Sequence, residues 1–268
     1  MNKGVCVVSQ NNTKSNYVLQ ACYLAQSIKK FSKDEKISII TNDKVPDDKI
    51  HLFDKIIPIE NDLTEINEWR INNRKLIYKL TPYNRTIVFD TDVLVLCNLS
   101  NIWDELQDTK LYFSTEIVNH RGRKIIQDYK HRKVFLANNL PNIYSAFFYF
   151  EKNETNDNFF DNLELIVDNF DDFANIFTPK QKQEFCSIDV AAAMCVKLCN
   201  IKLDKNKFNL VHMKTPLQGV RNIQSWTESL MYYASADGIF INNYKQHQFL
   251  HYVEDNFIND DIKDWLDD

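Results

Sequence analysis

Two aspartates one residue apart, Asp90 and Asp92, stand where the apolar run Thr86–Phe89 ends and a second run, Val93–Val95, begins. Side chains alternate across an extended backbone, so both carboxylates project to one side while Thr91 points away. A pair placed this way can share one hard divalent cation. Mg²⁺ and Mn²⁺ commonly sit between a few carboxylates and the phosphates of a substrate, which is the clamp a diphosphate leaving group needs. A D-x-D tripeptide by itself often just faces water, and its context is what argues for chemistry. Immediately upstream, Ile66 to Leu80 reads INEWRINNRKLIYKL, a helix-like and basic stretch stopped by Pro82. Lys75 and Lys79 are four apart and share a helix face, where they either neutralise a nucleotide diphosphate or form a solvated basic surface.

The elements that must position this pair alternate between strand and helix. Gly4–Ser9 reads as a buried strand, and Tyr17, Ala21, Leu24, Ile28 and Phe31 then step at helical spacing. Ile37–Ile40 and Lys55–Ile59 read as further strands, and Thr86–Phe89, apolar on both faces, as the central strand of a mostly parallel sheet covered by helices. Ligands bind outside the carboxyl ends of strands in such sheets, which is where Asp90 falls. In the second half, Leu111–Thr115, Ala146–Phe150 and Phe208–Met213 read as strands. Phe159 to Phe170 and Phe185 to Val196 read as helices, and His120–Lys133 as a basic loop or mobile helix. Trp226–Asp268 carries aromatics and an acidic finish but no clear period. No repeat or linker divides the chain, so it reads as a catalytic domain over residues 1–225 with an appended, helical or irregular C-terminal region over 226–268.

With 268 residues, 44% hydrophobic and 26% charged, the chain has the composition of a folded α/β protein. Its formal charge of -5 disfavours a generally basic nucleic-acid surface. The six cysteines show no CxxC pair and no metal-ligand rhythm with the histidines, and read as reduced thiols suited to a cytoplasmic protein. No run approaches the roughly 20 apolar residues of a membrane helix, and the N-terminus turns polar too soon for a signal peptide.

The run from Lys75 to Val95, K-L-x-x-K-L-T-P-Y-N-R-T-I-V-F-D-T-D-V-L-V, resembles the core of GT-A-fold glycosyltransferases, especially glycosyltransferase family 8. The resemblance implies a GT-A-like mostly parallel sheet flanked by helices, a nucleotide-sugar donor (a UDP-sugar) and Mn²⁺ or Mg²⁺. It also implies that Asp90 helps hold the sugar or ribose and Asp92 the metal. FNLVHMKTP, Phe208 to Pro216, stands where the family has a late histidine and lysine, which implies His212 as a third metal ligand and Lys214 as a phosphate contact. Asn42 and Asp43 stand where GT-A proteins recognise the base or ribose, although a turn before Pro46 explains them as well. Asp189 resembles the acid that approaches the transferred sugar, and Ser145 and Ala146 stand where small acceptor-side residues are expected. Retention of configuration is the outcome the resemblance implies.

Other readings stay open. A nucleotidyltransferase needs a Gly-rich basic loop after the first strand, and Gln10–Ser15 there holds no glycine. A silent nucleotide- or carbohydrate-binding module does not need the intact acidic pair. His120-Arg121-Gly122-Arg123-Lys124 and Lys130-His131-Arg132-Lys133 are either solvated loop or a surface for an anionic hydroxyl acceptor: a phosphorylated glycan, a lipid-linked saccharide or a modified nucleic-acid base.

Overall fold

The computed structural model describes residues 2–60, 62, 70–125, 132–213 and 225–268. In chain order the elements are β1 (Lys3–Val8), α1 (Tyr17–Phe31), β2 (Ile37–Ile40) and β3 (Lys55–Ile57). A 3-10 segment, Arg70–Leu76, then leads into α2 (Ile77–Leu80), followed by β4 (Arg85–Phe89), β5 (Val93–Leu96), α3 (Leu99–Glu105) and β6 (Leu111–Ser114). Next come α4 (Lys133–Asn138), β7 (Tyr144–Glu151), α5 (Glu154–Asp168), α6 (Phe170–Phe177), α7 (Ile188–Leu198) and β8 (Leu210–His212). The chain finishes with α8 (Trp226–Ser229), β9 (Tyr232–Ser235), β10 (Gly238–Ile241), β11 (Tyr244–Lys245), β12 (Gln248–His251) and α9 (Asp260–Asp267).

The mostly parallel α/β sheet expected from the sequence is present, with six strands in the order β3-β2-β1-β4-β7-β6. β4 is central and lies parallel to β1, while β7 runs antiparallel to both β4 and β6 and is the one reversed strand. Every residue of β4 from Thr86 to Phe89 is buried, as the two-sided apolar run requires. Because β1, β2 and β4 share a direction, their carboxyl ends share one edge, and Gln10, Asn42 and Asp90 follow those ends. The basic stretch before Pro82 is only partly an α-helix: its described part starts as the tighter 3-10 segment and widens into the single turn of α2.

A second, three-stranded sheet has the order β5-β12-β8. The C-terminal region supplies its middle strand: β12 pairs antiparallel with β5 and parallel with β8. The chain leaves the large sheet at Phe89 and enters the small one at Val93, so Asp90 to Asp92 form the turn between sheets rather than a continued strand. Thr91 is buried in that turn and its hydroxyl donates to Gln20 Oε1 of α1 at 2.8 Å, which holds the two aspartates on the opposite side. Gln20 in turn donates to Asp255 at 2.6 Å. Farther along α1, Trp265 of α9 packs on Phe31 and takes Lys30 over its ring.

Beneath the turn, aromatic rings join the two sheets. Phe147 of β7 lies 5.1 Å from Phe89, 4.4 Å from Phe249 of β12 and 5.5 Å from Phe208, centroid to centroid. All four rings are buried, and close aromatic pairs of this kind add to the stabilisation that burial alone gives. Phe147→Ala should therefore lower the unfolding free energy by about 3–5 kcal/mol. Urea denaturation checks this, and a loss under about 1 kcal/mol would mean that the rings do not hold the sheets together.

Candidate active site

The turn between sheets delivers Asp90 and Asp92, and the small sheet brings a histidine to them. In the β5-β12 register His251 lies opposite Val93, and the Tyr252 amide donates to the Asp92 carbonyl at 3.0 Å. His251 Nε2 is thereby 3.0 Å from Asp92 Oδ2. Ligand atoms of Asp90, Asp92 and His251 all fall within 4.8 Å of one another. His251 was not expected from the sequence. Its signal was the repeat of one pattern: Phe249-Leu250-His251-Tyr252 matches Leu210-Val211-His212-Met213, an apolar pair, a histidine and an apolar residue. Those strands pair in parallel with His212 opposite His251, and the imidazole centroids are 4.7 Å apart. His212 is thus beside the three-residue group rather than one of its members.

Charge around the group is tightly matched. Arg74, from the 3-10 segment, is in ion-pair contact with Asp90 Oδ1 and donates from the same nitrogen to the Ser145 carbonyl at 3.1 Å. Among the described residues Asp90 Oδ1 has no hydrogen-bond partner. Burial pushes the Asp90 carboxyl up, and the charges of Arg74 and His251 only partly oppose it. Burial acts the same way on Asp92, but there the charge and hydrogen bond of His251, with a backbone hydrogen bond and the Arg74 charge, together hold the carboxyl below its ordinary value. His251 answers in kind: burial lowers it, and the charge and hydrogen bond of Asp92, together with the charges of Asp90 and Asp189, raise it by more.

Asp189, at the start of α7, receives three donors. The Ser145 amide and hydroxyl reach Oδ1 at 2.8 and 2.6 Å, and Arg132 Nη1 reaches Oδ2 at 2.7 Å. Arg132 also donates to Asn142 Oδ1 at 2.9 Å and to the Ile143 carbonyl, with its guanidinium 3.9 Å from the Tyr144 ring centroid and 4.1 Å from that of Phe135. This corrects the sequence reading of residues 120–133 as one basic run: Arg132 is an internal cation committed to Asp189, with 14% of its side chain exposed. Arg121, Arg123 and Lys124 are exposed on a turn closed by the Val118–Lys124 bridge, where Gly122 takes φ 72. Residues 126–131 lie outside the described residues.

Lys75 and Lys79 are not brought to the acidic pair. Lys75 contacts Asp168, and Lys79 pairs with Glu164 at 2.5 Å and Asp161 at 3.8 Å, all on α5. Asn42 and Asp43 do stand at the ligand edge of the sheet, and both are engaged locally. Asn42 exchanges hydrogen bonds with the Ile59 backbone at 2.8 and 3.0 Å, and Asp43 accepts from the Asn11 amide at 2.7 Å. Alongside them Asp62 accepts from Gln10 at 2.5 Å and from Asn73 at 3.0 Å, a polar group missed in the sequence because its members come from three separate segments. Lys214 lies outside the described residues.

No family model matches the sequence, and no curated protein matches it. Solved structures do. The chain is similar in structure to solved glycosyltransferases. The galactosyltransferase LgtC, in complex with donor and acceptor sugar analogues, aligns at 13% identity over 73% of this chain and 70% of its own, with a TM-score of 0.43. Mouse xyloside xylosyltransferase 1 aligns at 10% over 73% and 82%, with a TM-score of 0.48. The bifunctional glycosyltransferase WbbM aligns at 17% over 69% of this chain, with a TM-score of 0.43, and the match spans only 38% of that protein. The likeness is one of general arrangement, and the chemistry of the site has to be judged from its own residues. Among the described residues no helix is long and apolar enough to cross a membrane.

The donors to Asp189 carry a testable consequence for stability. Burial raises its carboxyl, but the Arg132 charge and the Ser145 hydrogen bonds outweigh that and hold it below the ordinary value of 3.8. A carboxyl lowered by folding contributes stability that is complete above its unfolded pKa and is lost as pH falls through the folded one. Asp189→Asn should therefore unfold at lower urea than the parent at neutral pH, and the gap should close as pH drops below 3.8. A gap that is constant across that range would show that the Asp189 charge does not stabilise the fold.

Proposed function

We propose that this protein is a metal-dependent glycosyltransferase that moves a sugar from a nucleotide-diphosphate sugar, a UDP-sugar, to an acceptor hydroxyl. The observation that carries the reading is the Asp90, Asp92 and His251 group at the carboxyl edge of a mostly parallel sheet. Two carboxylates and an imidazole suit a transition-metal dication such as Mn²⁺ better than Mg²⁺, which prefers an all-oxygen shell. The donor set fits such an ion: one ligand atom from each of the three residues falls within 4.8 Å of the others, and the buried Asp90 Oδ1 has no hydrogen-bond partner among the described residues. When bound, the ion supplies Lewis-acid stabilisation of charge on the departing diphosphate. His212 is the neighbouring imidazole proposed to join the shell, and the Asn42, Asp43 and Asp62 edge is proposed to receive the nucleoside. Lys75 and Lys79 are proposed to reach the diphosphate only by exchanging their α5 partners for it.

Asp189 is the remaining carboxylate felt by both Asp90 and His251. With three donors on it and its carboxyl lowered, it is a poor proton acceptor, which disfavours an inverting reaction with Asp189 as base. Its fixed negative charge instead suits the positive charge that develops on the sugar ring, and the retaining reading rests on Asp189 being a poor base.

Two experiments test this reading. Calorimetric titration of Mn²⁺ should show a loss of affinity of at least about tenfold in Asp92→Ala and His251→Ala, with a smaller loss in His212→Ala. The reverse order between the histidines would make His212 the primary ligand. A screen of UDP-sugars for donor hydrolysis should show turnover that needs Mn²⁺ and is absent in Asp92→Ala, and equal turnover without metal would sink the assignment. Exposed Arg121 and Arg123 support an anionic acceptor. Changing both to Ser should weaken acceptor use and its salt sensitivity while donor hydrolysis is unchanged, and identical salt profiles would return the segment to a solvated turn.

A further inference from the structure

Among the described residues, Arg74 is the cation of the basic stretch that reaches the acidic pair. A single guanidinium nitrogen serves both Asp90 Oδ1 and the Ser145 carbonyl, the latter at 3.1 Å, so the carbonyl is a second anchor that keeps the charge at Asp90. Only 18% of the Arg74 side chain and 20% of that of Asp90 are exposed. In such a setting attraction between opposite charges is several-fold stronger than in water, and so is repulsion between like ones.

An ion shared by Asp90, Asp92 and His251 needs the carboxylate that Arg74 already neutralises. We infer that Arg74 is a resident competitor for the metal: its guanidinium holds Asp90 while metal and nucleotide are absent and yields that contact when both arrive. The inference rests on the metal-dependent reading of the site. Adding a dication alone places two positive groups on one carboxylate and leaves the guanidinium half-buried and short of a partner. Adding the dication with a diphosphate supplies negative charge for both. Metal and nucleotide therefore bind with positive coupling, and Arg74 is a source of that coupling. The consequence is a protein that holds free metal weakly and commits it only with a donor.

The test is calorimetric titration of Mn²⁺ into the parent, Arg74→Gln and Arg74→Lys, each with and without saturating UDP. Gln removes the charge and keeps a donor for the Ser145 carbonyl. In nucleotide-free protein Arg74→Gln should bind Mn²⁺ about fivefold or more tightly than the parent, and the gain in Mn²⁺ affinity produced by UDP should shrink. Arg74→Lys, which keeps the charge, should stay near the parent. Arg74→Met is the second charge-removing variant if Arg74→Gln does not fold, as judged by circular dichroism and thermal unfolding, and should show the same tightening. Unchanged or weaker Mn²⁺ binding in a folded charge-removing variant overturns the inference. If the parent binds Mn²⁺ and loses it in Asp92→Ala while Arg74→Gln binds no tighter, only the role of Arg74 falls. If neither the parent nor the charge-removing variants bind Mn²⁺, the metal-dependent reading falls with it.

Discussion

Three carboxylates, Asp90, Asp92 and Asp189, are gathered in a place where water reaches them poorly, and unpaired negative charge there is expensive. Each has its own cation: Arg74 for Asp90, His251 for Asp92 and Arg132 for Asp189. Those cations come from the 3-10 segment before β4, from the last strand and from the start of α4, so the charge balance draws in elements from most of the chain. The outcomes differ because the geometry differs. Asp92 and Asp189 are overcompensated and sit low, whereas Asp90, whose burial is only partly offset by its ion pair with Arg74, stays raised.

That convergence depends on the chain changing sheets at Asp90 to Asp92. A strand continued through these residues would leave no edge for β12 to reach them. Thr91 prevents this by bonding to Gln20, and Phe147 fills the space beneath with rings from both sheets. The tail without periodicity, Trp226–Asp268, is what completes the site: its strand pairs with β5 and its histidine meets Asp92. Its weak sequence pattern is physical, because short strands completed by distant partners need little internal regularity.

The acidic pair was legible in the sequence because its signal is local: two apolar runs separated by D-T-D. The helices α1, α5 and α7 were legible for the same reason. The reversal of β7 was not, since an apolar run such as Ala146–Phe150 reads alike in either direction. His251 was hidden because its role depends on register with β5, far back in the chain. Arg132 was grouped with Arg121 and Arg123 by composition, yet Tyr144 and Phe135 flank it and Asp189 claims it. Lys75 and Lys79 are paired with acids of α5, and Arg74, next to Lys75, is the neighbour that meets Asp90. Spacing along a helix says which residues share a face. It does not say which face meets the site, least of all where the segment is 3-10 rather than α.

The charge balance also bears on how the site can work. Without ligands, Asp90, Asp92 and Asp189 face Arg74, Arg132 and a His251 that Asp92 pulls toward its charged form, so the set is close to neutral. A histidine must be neutral to bind a metal. Binding a dication alone therefore trades one positive charge for two and leaves an excess, which a diphosphate removes. The empty site is thus close to balance, metal alone leaves it positive, and a nucleotide-sugar diphosphate, whose negative charges outnumber that excess, takes it past balance to the negative side. A buried charge cluster arranged this way disfavours metal held alone, which is the condition for the proposed coupling between metal and donor.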